Sequence, residues 1–343
     1  MKQNDTLLIT GGAGFIGSNF IPYYLEEYPE VHIVNLDALT YAGSLANLSE
    51  VAQHPRYTFV HGNICDRSLV EELFEKYRFT GVIHFAAESH VDNSIKNPGV
   101  FIETNVTGTF TLLDVAYTYW MEAPFAYKAA FKNARFHHIS TDEVYGSLGP
   151  TGLFTEETPY APNSPYSASK ASSDMLVRSY HHTYGMNTVI TNCSNNYGPK
   201  QHAEKLIPTI IRKALAGEAI PIYGDGKNIR DWLYVGDHCK GIALVFDQGI
   251  SGEVYNIGGE NEWVNMAIAR HICTLLDELY PKEAQSYTEQ IVLVQDRAGH
   301  DRRYAIDASK IKQELGWKPE ENFRTGIAKT LQYYLNYLIK KTH

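Results

Sequence analysis

A tyrosine and a lysine four residues apart lie in Tyr166-Ser167-Ala168-Ser169-Lys170. That spacing puts both on one face of a helix. The pattern alone is cheap, because Tyr223/Lys227 and Tyr337/Lys341 match it too. The former lies across a glycine-rich turn and the latter near the chain end, so both read as surface or packing residues. Only Tyr166 follows soon after an apolar strand, Phe136-His137-His138-Ile139-Ser140, that runs into Thr141-Asp142-Glu143. An unperturbed tyrosine titrates near pH ~10, and a nearby ammonium favours its phenolate. Such a tyrosine is suited to take a proton from a hydroxyl while hydride leaves the attached carbon. The adjacent carboxyls supply an acid and a base for a further proton-transfer step, or form a solvated acidic pair at a strand end.

Hydride chemistry needs an acceptor, and the amino-terminal residues offer a place for one. An apolar run over 7–10 leads into Gly11-Gly12-Ala13-Gly14-Phe15-Ile16-Gly17 and then a helical pattern. The glycines satisfy G-x-G-x-x-G and also G-x-x-G-x-x-G, permitting a tight turn and close approach of backbone to a pyrophosphate. The helix start adds N–H groups and a positive dipole end. Asp37 closes the second strand about 20 residues past Gly17, where a carboxylate accepts from both adenosine-ribose hydroxyls. Its charge repels a 2′-phosphate, and Ala38-Leu39-Thr40 carries no compensating cation. The expected cofactor is NAD rather than NADP.

The elements that must position these groups alternate. Strands are read at 7–10, 32–36, 57–61, 81–85, 136–140 and 188–192, with helices at 17–27, 69–77, 106–119 and 167–184. The alternation predicts an α/β fold, a Rossmann-type doubly wound parallel sheet. Ligands of such sheets bind outside the carboxyl ends of the strands. Beyond about residue 195 the pattern is less regular, with turns at Gly224-Asp225-Gly226 and Gly258-Gly259 and later helices at 264–279 and 323–340. We divide the chain into a dinucleotide-binding domain, 1–196, and a smaller mixed α/β substrate domain, 197–343, with crossings back from the second to the first.

At 343 residues, 44% apolar and 20% charged, the chain has the composition of a globular protein without a membrane span. Its net charge of −9 argues against a nucleic-acid partner. Four scattered cysteines, with no C-x-x-C pair, fit reduced thiols in a cytoplasm. The histidine pairs His137-His138 and His181-His182 lack H-E-x-x-H spacing, and no metal site is expected.

The stretches 10–18, 84–92, 140–146, 164–173, 191–199, 229–235 and 299–304 together resemble the extended short-chain dehydrogenase/reductase superfamily. Within it they are similar to the dTDP-glucose 4,6-dehydratase family, and they span nearly the whole chain. The resemblance implies conversion of a nucleotide-linked glucose to its 4-keto-6-deoxy form, a precursor of rhamnose-type deoxysugars. By it Tyr166 deprotonates the C4 hydroxyl and Thr141 hydrogen-bonds that oxygen. Glu143 is the base at C5, Asp142 the acid at C6, and Lys170 anchors the nicotinamide ribose. It adds Leu39, Thr40, Asn63, Ile64, Phe85, Ala86, Ala87, Ser89, Thr104 and Asn196 around NAD. A homodimer is implied, with helices near 106–119 and 168–184 available as its interface.

The sugar nucleotide carries a diphosphate, so a net-acidic protein needs local cations. Arg230, Arg297 and His300 are the candidates, although an arginine taken alone is more often an ion-pair or surface residue. The resemblance also points to Ser89, Asn195, Lys205, Leu206, Pro221, Tyr223 and Asn265. Three positions depart from the family pattern: Asn63 stands where Asp is usual, Asn93 where Arg is common, and Ala298 where Pro is common. Alternatives are a dehydratase for another nucleotide, an epimerase, a decarboxylase, or a non-catalytic NAD-sensing protein. The intact Thr141-Asp142-Glu143/Tyr166/Lys170 set disfavours the epimerase and the sensor.

Overall fold

The computed structural model describes residues 5–283, 285–296 and 301–339, and the side chains of the last helix as far as 336. Seven strands form one parallel sheet in the order Val254–Ile257, Thr188–Cys193, Arg135–Thr141, Gly81–His84, Thr6–Thr10, His32–Asp37, Tyr57–His61. This is the predicted doubly wound α/β sheet. All residues of Gly81–His84 and Thr188–Cys193 are buried, as expected of central parallel strands covered on both faces. Helix Phe15–Glu27 contributes Phe20, Ile21, Tyr24 and Leu25 to one layer of core. Helices Arg67–Tyr77 and Gly108–Trp120 close the opposite face.

The outermost strand, Val254–Ile257, comes from beyond residue 197, and helix Val235–Gln248 packs against Phe15–Glu27. A second core gathers around Tyr197, Trp232 and Phe323, under helices Leu206–Ala216, Asn265–Leu279 and Phe323–Ile339. Two small sheets complete that unit: Ile220–Tyr223 with Ile291–Val294, and Ile229–Tyr234 with its neighbours Glu262–Val264, Arg303–Tyr304 and Asn195–Tyr197.

Two local features differ from the sequence reading. The helix read from 106 begins as a widened π-type turn, Ile102–Thr107, before α-helical geometry sets in at Gly108. Single π turns accompany functional sites, and this one carries Thr104, which lines the cleft described below, and the buried Asn105. The helix carrying Tyr166 starts at Pro165, with Ser164 and Ser167 in reciprocal capping contacts, and ends at Gly185 with φ +69°. Among the described residues no helix is long and apolar enough to cross a membrane. All four cysteines are unpaired.

Candidate active site

A cleft of about 310 Å³ opens at the carboxyl ends of the sheet strands and reaches into the second unit. Its floor is the glycine loop. Gly11 has φ +72°, and a Cβ there would stand 2.5 Å from the Ala86 nitrogen. A Cβ on Gly17 would stand 2.6 Å from Gly12 Cα. Only glycine lets these backbones approach so closely. Gly14 differs: its Cβ would meet only the Gly11 oxygen, at 3.2 Å, and otherwise faces the cleft. The first helical bond runs from Ser18 N–H to the Gly14 carbonyl, leaving the N–H groups of Phe15 and Ile16 at the open helix start.

Asp37 sits at the strand end as predicted, but its carboxylate also holds the loop. Oδ2 accepts from Ala13 N–H at 2.8 Å, and Oδ1 from Leu39 N–H at 2.8 Å. Each oxygen retains acceptor capacity for a further hydroxyl. Thr40, Asn63, Ile64, Phe85, Ala86, Ala87, Ser89, Thr104 and Asn196 line the same cleft. Leu39 does not; its side chain packs toward the core from a residue with φ +51°. The open glycine edge, the free helix start and the carboxylate at the second strand end fit a dinucleotide.

At the other end Thr141, Asp142, Glu143, Tyr166 and Lys170 come together. Strand Arg135–Thr141 turns directly into the 3₁₀ turn Asp142–Tyr145, with the Thr141 hydroxyl accepting from Glu143 N–H at 3.3 Å. Asp142 is 1% exposed and its Oδ2 has no hydrogen-bond partner. Burial, with Glu143 and Asp231 adding to it, pushes the Asp142 carboxyl well above the ordinary range. Asp142 is therefore built to hold a proton, as a general acid must.

The expected acidification of Tyr166 by Lys170 is not what this arrangement shows. Burial, then the charge of Glu143, drives Tyr166 well above its ordinary value, and a hydrogen bond with Thr141 opposes them. Lys170 lines the same cleft but is engaged by other partners. Its Nζ donates to the Ile139 carbonyl at 2.8 Å and lies 3.2 Å from His138 Nε2. Burial lowers Lys170 to about 8, opposed by the negative charge of Asp174. Asp174 accepts from Ser140 Oγ at 2.9 Å and from the Tyr160 hydroxyl at 3.0 Å.

Of the substrate candidates, Asn195 and Lys205 line the cleft, and Lys205 Nζ donates to the Ser89 carbonyl at 3.1 Å. Leu206, Pro221, Tyr223 and Asn265 lie in the second unit, outside the cleft lining. Arg230 is also outside it and 5% exposed. Its guanidinium donates to the Ile229, Asp301 and Arg302 carbonyls and stacks 4.3 Å from the Tyr304 ring centroid. Arg297 and His300 fall outside the described residues, as does Ala298. No group of three or more His, Cys, Asp or Glu among the described residues is placed to hold a metal ion.

Sequence reasoning missed Asn105. Its side chain accepts from Glu88 N–H at 2.8 Å, and donates to the Glu88 carbonyl at 3.0 Å and to Ser169 Oγ at 2.8 Å. It ties the Phe85–Ser89 wall of the cleft to the helix that carries Tyr166. The long-range partners that define this role leave no local signal in the chain. Tyr41, His90 and Glu204, from three separate loops, also line the cleft, with Glu204 Oε2 3.4 Å from His90 Nε2.

Residues 8–330 match the family model described as GDP-mannose 4,6 dehydratase. The dTDP-glucose 4,6-dehydratase of Xanthomonas campestris pv. campestris (strain B100) is 56% identical over 332 residues, covering 96% of this chain and 93% of the relative. That of Escherichia coli (strain K12), dTDP-glucose 4,6-dehydratase 1, is 53% identical, covering 96% and 92%. Among solved structures, the Bacillus anthracis dTDP-glucose 4,6-dehydratase in complex with NAD superposes with TM-score 0.85 at 46% identity, covering 97% of each chain. A UDP-glucose 4-epimerase from Thermotoga maritima reaches TM-score 0.84 at only 27% identity, covering 97% of this chain and 99% of its own. The fold is shared with the epimerases, whereas sequence similarity is far greater to the dehydratases. The chain therefore belongs to the dTDP-glucose 4,6-dehydratase family of the extended short-chain dehydrogenase/reductase superfamily.

Proposed function

We propose that the protein removes water from dTDP-glucose to give dTDP-4-keto-6-deoxyglucose, with NAD held in the cleft throughout. The observation that carries this reading is the buried, partnerless Oδ2 of Asp142 beside Glu143 and Tyr166. Oxidation and rotation of a sugar do not require such an acid; elimination of a hydroxyl does.

NAD would lie along Gly11, Gly14, Phe15, Ile16 and Gly17 by its pyrophosphate, on Asp37 by its adenosine ribose, and between Asn63 and Ile64 by its adenine. Bound there, it would supply the acceptor for hydride from C4 and the donor of that hydride to C6. Tyr166 takes the C4 hydroxyl proton, the positive charge of the bound nicotinamide offsetting the burial and the Glu143 charge that otherwise hold the tyrosine's own proton, with Thr141 bonded to that oxygen and Lys170 at the nicotinamide ribose. The ketone acidifies C5, Glu143 removes that proton, and Asp142 gives its own to the departing C6 hydroxyl. Glu143 then returns a proton to C5. Asn195 and Lys205 face the same space and suit the sugar and diphosphate. Leu206, Pro221, Tyr223 and Asn265 of the second unit suit the nucleotide end. Arg230 would serve there only by exchanging its carbonyl partners for the diphosphate. The division at 196/197 is our reading of the two halves of the site. The description of the matching family model names another donor, so nucleotide choice is part of the test.

A homodimer is supported by exposed apolar side chains on the paired helices: Val100, Ile102 and Phe110 beside Met175. The unpaired cysteines favour a reducing cytoplasm.

The test is incubation with dTDP-glucose, UDP-glucose and GDP-mannose separately, without added reductant, scored by mass for loss of one water. Loss from dTDP-glucose is expected. Loss only from another nucleotide would move the substrate, and no loss from any would remove the dehydratase reading.

A further inference from the structure

Strand Tyr57–His61 ends beside His32–Asp37, with His61 in register with Asp37 and Gly62 N–H donating to the Asp37 carbonyl at 3.1 Å. A ribose on Asp37, with its pyrophosphate at the glycine loop, sends its base away from that loop, over residues 62–64. Asn63 and Ile64 line the cleft there. The polar groups these two residues leave over decide how a purine is read.

A turn fixes the Asn63 side chain. Its Oδ1 accepts from Cys65 N–H at 2.9 Å, and its backbone carbonyl accepts from Asp66 N–H at 3.0 Å. Cys65 N–H needs an acceptor, so the amide oxygen faces the turn and the NH2 faces away from it. Asn63 is exposed, and its Nδ2 makes no hydrogen bond among the described residues. The Ile64 N–H makes none either. Both groups left over at this end of the cleft are donors.

Adenine carries a donor and an acceptor side by side, the 6-amino group and N1. Hypoxanthine reverses them: its 6-oxygen accepts and its N1–H donates. Against a pair of donors, each base gains one hydrogen bond and sets one donor against another. Neither is favoured. A carboxylate at position 63 would act differently. One oxygen would still take Cys65 N–H, and the other would accept from the 6-amino group and repel a 6-oxygen.

We infer that Asn63 relaxes the reading of the cofactor's purine, so that the cleft holds a 6-oxopurine dinucleotide about as well as the 6-amino form. The inference rests on the placement of NAD given above. It concerns the base alone, and Asn63 has no part in proton or hydride transfer.

The experiment equilibrates purified wild type and Asn63→Asp with an equimolar excess of NAD and nicotinamide hypoxanthine dinucleotide. Free nucleotide is removed by gel filtration once the bound ratio is constant, and the bound nucleotides are separated by chromatography and counted. Wild type is expected to hold the two within about threefold of each other, one hydrogen bond balancing one mismatch on each base. Asn63→Asp keeps the acceptor for Cys65 N–H and is expected to favour NAD by about tenfold or more, the scale of leaving polar groups unpaired. If that variant does not fold, Asn63→Ser, whose hydroxyl also caps such a turn and which lacks the NH2, should shift the ratio the same way. A wild type that already favours NAD by about tenfold, or variants whose ratio matches wild type, would overturn the inference. A folded wild type that holds neither dinucleotide would overturn it together with the cofactor placement. The expected ratios in a protein that removes no water from dTDP-glucose would support the inference and remove only the proposed function.

Discussion

Lys170 and Asp174 lie one helical turn apart on a fully buried face, and His138 Nε2 stands 3.2 Å from both Lys170 Nζ and Asp174 Oδ1. An ammonium and a carboxylate thus share one imidazole. Burial disfavours the charged form of Lys170, and the negative charge of Asp174 opposes that effect. The lysine stays a cation near neutrality because its counter-charge is buried with it.

Asp174→Asn should therefore weaken the hold of Lys170 on its proton. If the cation is needed, the alkaline limb of the activity profile moves to lower pH, measurable as log kcat/KM against pH. Stability should respond at the acid end. Asp174 is raised from its ordinary 3.8 to about 6, mainly by burial with Lys170 opposing. Its protonation favours folding fully below pH 3.8, and that contribution is lost as pH rises through about 6. Denaturant melts of the variant and wild type between pH 4 and 6 should diverge with that slope, and parallel curves would contradict it.

Asp142→Asn with Glu143→Gln should separate redox from elimination. The bound cofactor is expected to become reduced on adding dTDP-glucose, visible by absorbance, while water loss falls by roughly 10²–10⁴-fold. Undiminished product formation would remove the acid/base assignment.

Gly17→Ala pits helix propensity against contact. Alanine gains about 1 kcal/mol over glycine inside a helix, but its Cβ would stand 2.6 Å from Gly12 Cα. Both partners are backbone, so the overlap wins. A lower melting temperature and less NAD retained through gel filtration are expected; a stabilised variant with full NAD would show that the loop shifts freely.

Asn105→Ala removes the clamp on Glu88. Its backbone N–H and carbonyl lose their Asn105 side-chain partners, at about 1–3 kcal/mol for each buried group left unsatisfied. NAD affinity measured by titration calorimetry should fall, and an unchanged affinity would show that this wall of the cleft holds without Asn105.

The parts of the site that the chain displays locally are those that sequence reading reaches. Thr141, Asp142 and Glu143 end a strand, Tyr166 and Lys170 open a capped helix, and the glycine loop joins one strand to one helix. Each is a short run whose geometry follows from its own residues. Orientation is different. Lys170 faces His138 and Ile139 because of residues about 30 positions away, and that contact is invisible to helical spacing. Arg230 fits a phosphate ligand by type, yet carbonyls of residues 301 and 302 and the Tyr304 ring surround it. Asp174 has the helical spacing of a solvated carboxylate and is 1% exposed. Only the packing of a second strand over that helix face distinguishes the two cases.

The seventh strand has a consequence for how the chain is made. Val254–Ile257 pairs with Thr188–Cys193, whose six residues are all buried in the finished sheet. Until residue 257 has left the ribosome, that strand keeps its pairing with Arg135–Thr141 but leaves its outer backbone edge open, the kind of surface that recruits other chains. A piece ending at residue 196 lacks the strand that covers this edge and is expected to aggregate, and chaperone demand should be greatest while the second half is still being synthesised.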